Sequence, residues 1–436
     1  MLEIKGKYTK DCKVYAETIE QEALSTIYGI CEHPAFKDAK IRIMPDCHQG
    51  KGIVIGFTCP VGDFVDPQHI GVDIGCQMTS IELSKPIEEK KYATFERQLR
   101  NKIPTGFNIH GKKIFEDKVF FKFLNKEYNK ARSNWSDMID DIGSIDEAYI
   151  TAMLKRLGMD EGVFYKSIGS VGGGNHFIEY GLTDDNRAFF TVHCGSRNFG
   201  VKVANYWISQ AKRTMRTSAI YNVDEEIKKI KATVADRTQW RALIEEAKEK
   251  AKTCNPQGYL SGDKLKGYLS DMVIAQAYAH FNHEMIINVA KEILLKHGIK
   301  EVDRINTIHN YISFEDHIIR KGAIQSYKGQ KMIIPFNMRD GLAICEGKSN
   351  DDWNCSAPHG AGRLMSRSAA KKNVDLEVFK KSMEGIYSTC VGMSTIDESP
   401  MAYKDMNEIV KLIEPTADIL FFVKPKINIK ATDGGE

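Results

Sequence analysis

Gly71-Val72-Asp73-Ile74-Gly75-Cys76 sets a carboxylate and a thiol three residues apart between two glycines. Val72 and Ile74 favour extended backbone, so the stretch reads as a short strand or tight loop with little bulk beside it. Asp73 and Cys76 can ligate one metal ion from such a frame. Working outward, the groups able to complete a site are histidines placed far along the chain. Ala188-Phe189-Phe190-Thr191-Val192 reads as a strand ending at His193-Cys194-Gly195-Ser196-Arg197. Arg304 to Ile308 repeats the pattern and ends at His309. Either histidine alone reads as a satisfied structural residue; the recurrence is what points to a metal. Arg197, just after its strand, adds an anion-binding guanidinium beside the candidate ligands.

Ser167 to Glu179 is the glycine-rich part of the chain, with four glycines in the six positions 169–174. It permits close backbone approach to a ligand. It lacks the Lys-Ser/Thr ending of a phosphate loop, which argues against that chemistry. Read as a strand, its end puts Asn175, Phe177 and Glu179 on one face and His176 on the other. Pro358-His359-Gly360-Ala361-Gly362-Arg363 runs into Leu364-Met365-Ser366-Arg367. Arg363 and Arg367 are expected on one helix face near its N-terminus, forming a phosphate-binding surface. A capped helix with surface arginines is the plainer alternative.

The remaining pattern is ordinary. Residues 17–30 read as an amphipathic helix. Ile41–Met44 and Ile53–Phe57 read as strands joined by a hydrogen-bonded turn over Pro45 to Gly52. Residues 85–160 are mostly helical, and 201–252 are helical and rich in Lys and Glu, a solvated face. A long helix over 263–298 carries Tyr268, Met272, Ala275, Ala279 and Met285 on apolar positions, with His280 and His283 spaced to meet. Asp397 to Asp405 reads as an exposed turn, and Phe421 to Lys430 as a final strand. The expected fold is α+β: one large domain over 1–436, with a central mixed or antiparallel β core and a helical, Lys/Glu-rich excursion at about 201–300.

Composition bounds the function. Of 436 residues, 42% are hydrophobic and 27% charged, enough for a large core. A net charge of +3 does not by itself announce nucleic acid. The first residues have no apolar core of signal-peptide length, and no run approaches membrane-spanning length, so a cytoplasmic protein is expected. Ten cysteines without a C-x-x-C pair argue against a zinc ribbon or a thioredoxin-like site. Together, Asp73, Cys76, His176, His193 and His309 offer one carboxylate, one thiolate and three imidazoles. With glycine loops and arginines, this set suits a two-metal site acting on phosphate. Mixed donors permit Mn2+, Zn2+, Co2+ or Fe2+. His359 is then a sixth ligand, a general base or a nucleophile.

Eight stretches occur in order from about residue 41 onward: MPDCHQGKGIVIG, GVDIGC, GSVGGGNHFIE, VHCGSR, HNY, RKGA, HGAGRLMSR and AYKD. Together they resemble the RtcB-type RNA ligase family. The resemblance implies a GTP- and Mn2+-dependent ligase that joins RNA 3′-phosphate or 2′,3′-cyclic phosphate ends to 5′-hydroxyl ends, in RNA repair or tRNA splicing. It implies two Mn2+ ions bridged by Cys76, with Asp73, His176, His193 and His309 completing their shells. His359 would carry GMP. Asn175, Glu179, Asn337, Gly360, Ala361, Gly362, Arg363, Tyr403 and Lys430 would surround the nucleotide, and Arg197, Arg363 and Arg367 the RNA phosphates. The partners implied are RNA with broken ends, tRNA among them, and GTP; a monomer is expected. The sequence departs from the family at Gln77, where Gly is usual, at Cys194, where Ser is usual, and over Pro335-Phe336-Asn337-Met338-Arg339, where Phe336 and Arg339 replace glycines. A two-metal phosphoesterase that processes RNA ends without joining them is the alternative.

Overall fold

The computed structural model describes residues 1–216, 222–254 and 258–432. Parts of the expected Lys/Glu-rich excursion, 217–221 and 255–257, lie outside the described residues. The strands in chain order are β1 (Leu2–Ile4), β2 (Asp11–Val14), β3 (Lys40–His48), β4 (Ile55–Pro60), β5 (Gln77–Leu83), β6 (Phe177–Leu182), β7 (Ala188–Cys194) and β8 (Glu301–Ile308). They continue with β9 (Tyr311–Ile312), β10 (Ile318–Lys321), β11 (Ala323–Gln325), β12 (Lys331–Asn337), β13 (Gly341–Gly347), β14 (Ser356–Pro358) and β15 (Ala417–Ile429). The architecture is α+β. One sheet is mixed, in the order β1-β2-β3-β4-β10-β9, with β2 and β3 parallel. The other is antiparallel, in the order β12-β13-β15-β6-β7-β5-β8. β11 and β14 form a separate pair.

Both faces of the antiparallel sheet are covered, which its near-continuous apolar strands require. Ile81, Ile178, Phe190, Val192, Ile427 and Ile429 pack outward on Phe95, Leu99, Ile286 and Ile293 of two helices, Tyr92–Lys102 and Gly262–Leu295. The inward core holds Met78, Phe189, Ile305, Ile333, Leu342 and Val423. The edge strands β8 and β12 meet around this core. Ile333 N–H donates to Thr307 Oγ1 at 3.1 Å, and Lys331 pairs with Asp303 at 2.9 Å. The sheet therefore curls toward a barrel, and side-chain parity decides which residues face its interior.

The helix Gly262–Leu295 explains its own weak amphipathicity: it is buried on most sides, as a central helix must be. Tyr268, Met272, Ala275 and Ala279 are all buried. His280 and His283 do not meet as the spacing suggested. His283 is fully buried and bridges two strands, bonding Thr79 Oγ1 and the Cys194 carbonyl, each at 2.9 Å. His280 turns instead toward Glu127 and Glu284. No helix among the described residues is long and apolar enough to cross a membrane.

Val72 to Gly75 forms the tight loop of the two alternatives, and the strand begins only at Gln77. Two local expectations are corrected. β3 runs on through Pro45-Asp46-Cys47-His48, so the turn is confined to the residues after it, and β4 starts at Ile55. Asp397–Tyr403 is not an exposed turn: Asp397, Glu398, Ser399 and Ala402 are buried in short 3-10 turns.

His283→Ala removes both strand contacts and leaves a cavity. It is expected to lower the unfolding free energy by about 3 kcal/mol, read from the urea midpoint at unchanged slope. A change near zero would mean that helix packing alone holds these strands.

Candidate active site and metal centre

Strand parity brings three of the candidate ligands together. His193 shares the inward face of β7 with Phe189, and His309 continues the inward face that Ile305 and Thr307 occupy on β8. Cys76 has the parity of Met78 at the start of β5, which lies between those two strands. His309 N–H donates to the Cys76 carbonyl at 2.8 Å, locking the strand ends together. Three ligand candidates thus emerge at one end of three adjacent strands. His176 lies just before β6, in the glycine-rich loop, so strand alternation does not govern it. It turns back toward Asp73, at 2.9 Å from Oδ2.

The donors form two overlapping triads: Asp73, Cys76 and His176; and Cys76, His193 and His309. Cys76 Sγ is 3.4 Å from His176 Nε2 and 3.3 Å from His193 Nε2, while His193 and His309 Nε2 atoms are 3.2 Å apart. His193 Nδ1 faces the Asn175 carbonyl at 3.2 Å, which presents Nε2 to the centre. Burial holds His193 and His309 well below the usual imidazole range, so both are neutral donors. Burial would raise Asp73, but His176 and the Ser196 N–H outweigh it and lower the carboxyl. Burial, then Asp73, pushes the Cys76 thiol well up, the state that a bound cation reverses. Gly195 is obligatory, because a Cβ there would overlap the Asp73 carboxylate. One cysteine sulfur shared by two triads of imidazole and carboxylate groups fits transition-metal binding.

A cavity of about 1170 Å³ opens beside this cluster. His359, just after β14, borders it, with its ring centroid 4.7 Å from that of His309. Its Nδ1 lies 2.6 Å from Oδ2 of buried Asp46, and its backbone N–H donates to the same oxygen at 3.2 Å. Asn310, at a φ of 135°, ties the neighbouring loops together. Its Oδ1 accepts from Gly322 N–H, its Nδ2 donates to the Asp73 carbonyl, and its carbonyl accepts from Gly75 N–H. Gly322 abuts His359, where a Cβ would come within 3.1 Å of the ring.

Asn175, Glu179, Asn337, Gly360, Ala361, Gly362, Arg363, Arg367, Tyr403 and Lys430 all border the cavity. Arg363 is not on a helix, as expected from its spacing; it bridges Tyr403, and the helix starts only at Arg367, capped by Ser366. Both arginines nevertheless converge, on Glu398. Arg363 is 3.0 Å and Arg367 3.6 Å from its Oε1, while Tyr403 Oη donates to Oε2 at 2.5 Å and Lys430 lies 3.4 Å from it. Burial would raise the Glu398 carboxyl; Lys430, Arg363 and Arg367 outweigh it and pull it down to about 2. Arg197 is not part of the cavity lining. Its guanidinium is bonded to the Gly106 carbonyl and Ser170 Oγ. Phe336 borders the cavity but packs into the sheet, and Arg339 turns aside to form a bidentate pair with Asp340. Sequence reasoning missed Asp46, Glu398 and Asn428. Asp46 had a signal, the polar cluster before Gly50, but its partner is 313 residues away.

The family model described as tRNA-splicing ligase RtcB matches residues 30–431. The chain belongs to the RtcB family. It is similar to RNA-splicing ligase RtcB of Escherichia coli K12, 26% identical over 429 residues that cover 94% of this chain and 95% of the relative. It is similar also to tRNA-splicing ligase RtcB of Nanoarchaeum equitans, at 27%, and of Aeropyrum pernix, at 24%, each match covering 85% of this chain and 83% of the relative. RtcB membership accounts for why the eight motifs, dispersed in sequence, surround one cavity.

Glu398→Gln keeps the shape and removes the charge that three cations share. Because the Glu398 carboxyl sits below its unfolded value of about 4.5, its stabilisation is complete above that pH and fades as pH falls toward 2. The variant is expected to be less stable at pH 7 by about 3 kcal/mol. The gap to wild type should close between pH 4.5 and 2 in denaturation curves taken across that range.

Proposed function

We propose that the protein is an RNA ligase that uses GTP and Mn2+ to join 3′-phosphate or 2′,3′-cyclic phosphate ends to 5′-hydroxyl ends, in RNA repair or tRNA splicing. Membership of a ligase family supports the class. The observation that carries the chemistry is the pairing of His359 with buried Asp46 beside two metal-ligand triads. Asp73, Cys76 and His176 would hold one ion and Cys76, His193 and His309 the other, supplying neutralisation of phosphate charge when bound.

Asp46 fixes the proton of His359 on Nδ1 and leaves Nε2 as the free lone pair. Nε2 attacks the α-phosphorus of GTP; the P–N bond forms, the bridging P–O bond breaks and pyrophosphate leaves. The cation that develops on the imidazole is stabilised by the Asp46 carboxylate. An oxygen of the RNA 3′-phosphate then attacks the same phosphorus, and the P–N bond breaks to regenerate His359. The 5′-hydroxyl oxygen attacks the 3′-phosphorus, GMP leaves, and the hydroxyl proton passes to solvent. A cyclic end is first opened by water, breaking the P–O2′ bond. Asn175, Glu179, Asn337, Tyr403, Lys430 and the Gly360-Ala361-Gly362 segment would hold the nucleotide, with Arg363 and Arg367 on the phosphates. Arg197 would reach an RNA phosphate only after leaving Gly106 and Ser170. The alternative is a two-metal RNA end-processing phosphoesterase without ligation, which the altered Phe336–Arg339 stretch favours.

Incubation with α-labelled GTP and Mn2+, then denaturing electrophoresis, decides between them. Label on wild type and none on His359→Ala is expected. Asp46→Asn should retain the fold and lose labelling rate by about 100-fold or more. Absence of label with every nucleotide, with metal bound, would move the assignment to the phosphoesterase.

A further inference from the structure

The helix Asp117–Asn134 carries Lys118, Lys122, Lys126 and Lys130 at a constant spacing of four residues, and all four are exposed. Successive lysines sit about 6 Å apart along the axis, in a stripe about 18 Å long. Phe120, Leu124, Tyr128 and Ala131 occupy the opposite face and are buried, with Phe120 and Phe123 packed on Phe281 of Gly262–Leu295. No acid interrupts the stripe. Asp117 pairs with Lys113, and Glu127 turns to the flank where His280 lies. Lys130 reaches Glu315 at 3.3 Å; Lys118, Lys122 and Lys126 have no carboxylate partner among the described residues. Like charges four residues apart weaken a helix. An ordinary solvated face mixes signs, as the helices Val223–Thr233 and Trp240–Cys254 do. The lysine stripe carries the repulsion without that relief.

The chain that enters this helix is fixed to the glycine-rich loop that carries Asn175 and His176. Gly106 N–H donates to the Val171 carbonyl at 3.0 Å, and His110 N–H donates to the Lys166 carbonyl at 3.0 Å. Ile114 lies so close to Gly169 that a Cβ there would come within 2.6 Å of its Cδ1. The stripe begins just beyond that contact, at Lys118, and the loop it touches supplies Asn175 to the cavity. An evenly spaced line of ammonium groups complements an evenly spaced line of phosphates. A membrane surface is a poorer match. A helix that binds lipid inserts an apolar face, and here that face is already buried in the protein. We propose that Lys118, Lys122 and Lys126, with Lys130 at the far end, hold the phosphate backbone of substrate RNA at a distance from the reacting end. This rests on the reading of the protein as an RNA ligase and adds a helix that none of the eight motifs contains. Such contacts are indifferent to base sequence, so the stripe positions RNA without selecting it.

The test is equilibrium binding of two fluorescent 3′-phosphate RNAs to the full chain, read by anisotropy without GTP. One is a trinucleotide that only the cavity can hold; the other is a single strand of about 20 nucleotides, long enough to cover the stripe as well. The variant Lys118→Gln/Lys122→Gln/Lys126→Gln keeps helix-forming side chains and removes three charges. The control Lys228→Gln/Lys229→Gln/Lys231→Gln removes the same charge from exposed positions elsewhere. The stripe variant is expected to bind the longer RNA about tenfold or more weakly at low salt. The slope of log affinity against log salt should shrink by about 2, roughly 0.7 for each lost phosphate contact. Trinucleotide affinity should stay within about twofold in both variants, and the control should bind the longer RNA as wild type does. Circular dichroism and thermal unfolding check that the helix and the fold are kept. Unchanged affinity and slope in the stripe variant, an equal loss in the control, or a stripe-dependent affinity for anionic lipid vesicles with RNA binding intact would each overturn the proposal. Loss of the longer RNA by the stripe variant alone, in a protein that never labels His359, would uphold it and sink only the ligase reading.

Discussion

Five side chains able to ligate a metal crowd at one end of a curled antiparallel sheet, and the rest of the structure follows from that. Cys76, His193 and His309 point inward because strand parity leaves them no alternative once Met78, Phe189 and Ile305 fill the interior. Their donor atoms then crowd within hydrogen-bond distance, with the imidazoles neutral and the thiol held protonated by burial. Such a cluster is poorly satisfied by its own members. A divalent cation would satisfy it, and Gly195 leaves the room that the Asp73 carboxylate occupies.

The cavity also gathers charge. Asp46 supplies the countercharge beside His359, and Glu398 collects Arg363, Arg367, Lys430 and Tyr403. Three cations around one buried carboxylate leave a net positive wall while keeping each guanidinium or ammonium paired. An incoming phosphate would therefore meet cations already held in place, which lowers the ordering cost of binding.

Much of this was legible in the sequence, for a physical reason in each case. Asp73, Cys76, His193 and His309 stand out because each breaks an apolar or glycine-rich run at a strand end. The α+β character follows from the same runs alternating with long helical periodicity. What was hidden is tertiary. His176 looked misplaced because its loop was read as strand. Arg363 looked helical because its bridge to Tyr403 crosses 40 residues. Asp46 looked like a turn residue because its partner is His359, and Glu398 looked exposed because nothing local says that three cations will bury it. Asn428 carries no signal at all; only the pairing of β15 with β6 gives it a neighbour.

That pairing has a consequence for synthesis. β15, the last strand in the described chain, is inserted between β13 and β6 in the middle of the sheet. Until it emerges from the ribosome, both neighbours are open edges with apolar faces, and the wall that carries Asn428 and Lys430 does not exist. A nascent or prematurely ended chain can therefore assemble most of the metal-ligand set while remaining both inactive and prone to pair with other strands. Completion of the chain, rather than any local folding event, is the gate that admits this protein to function.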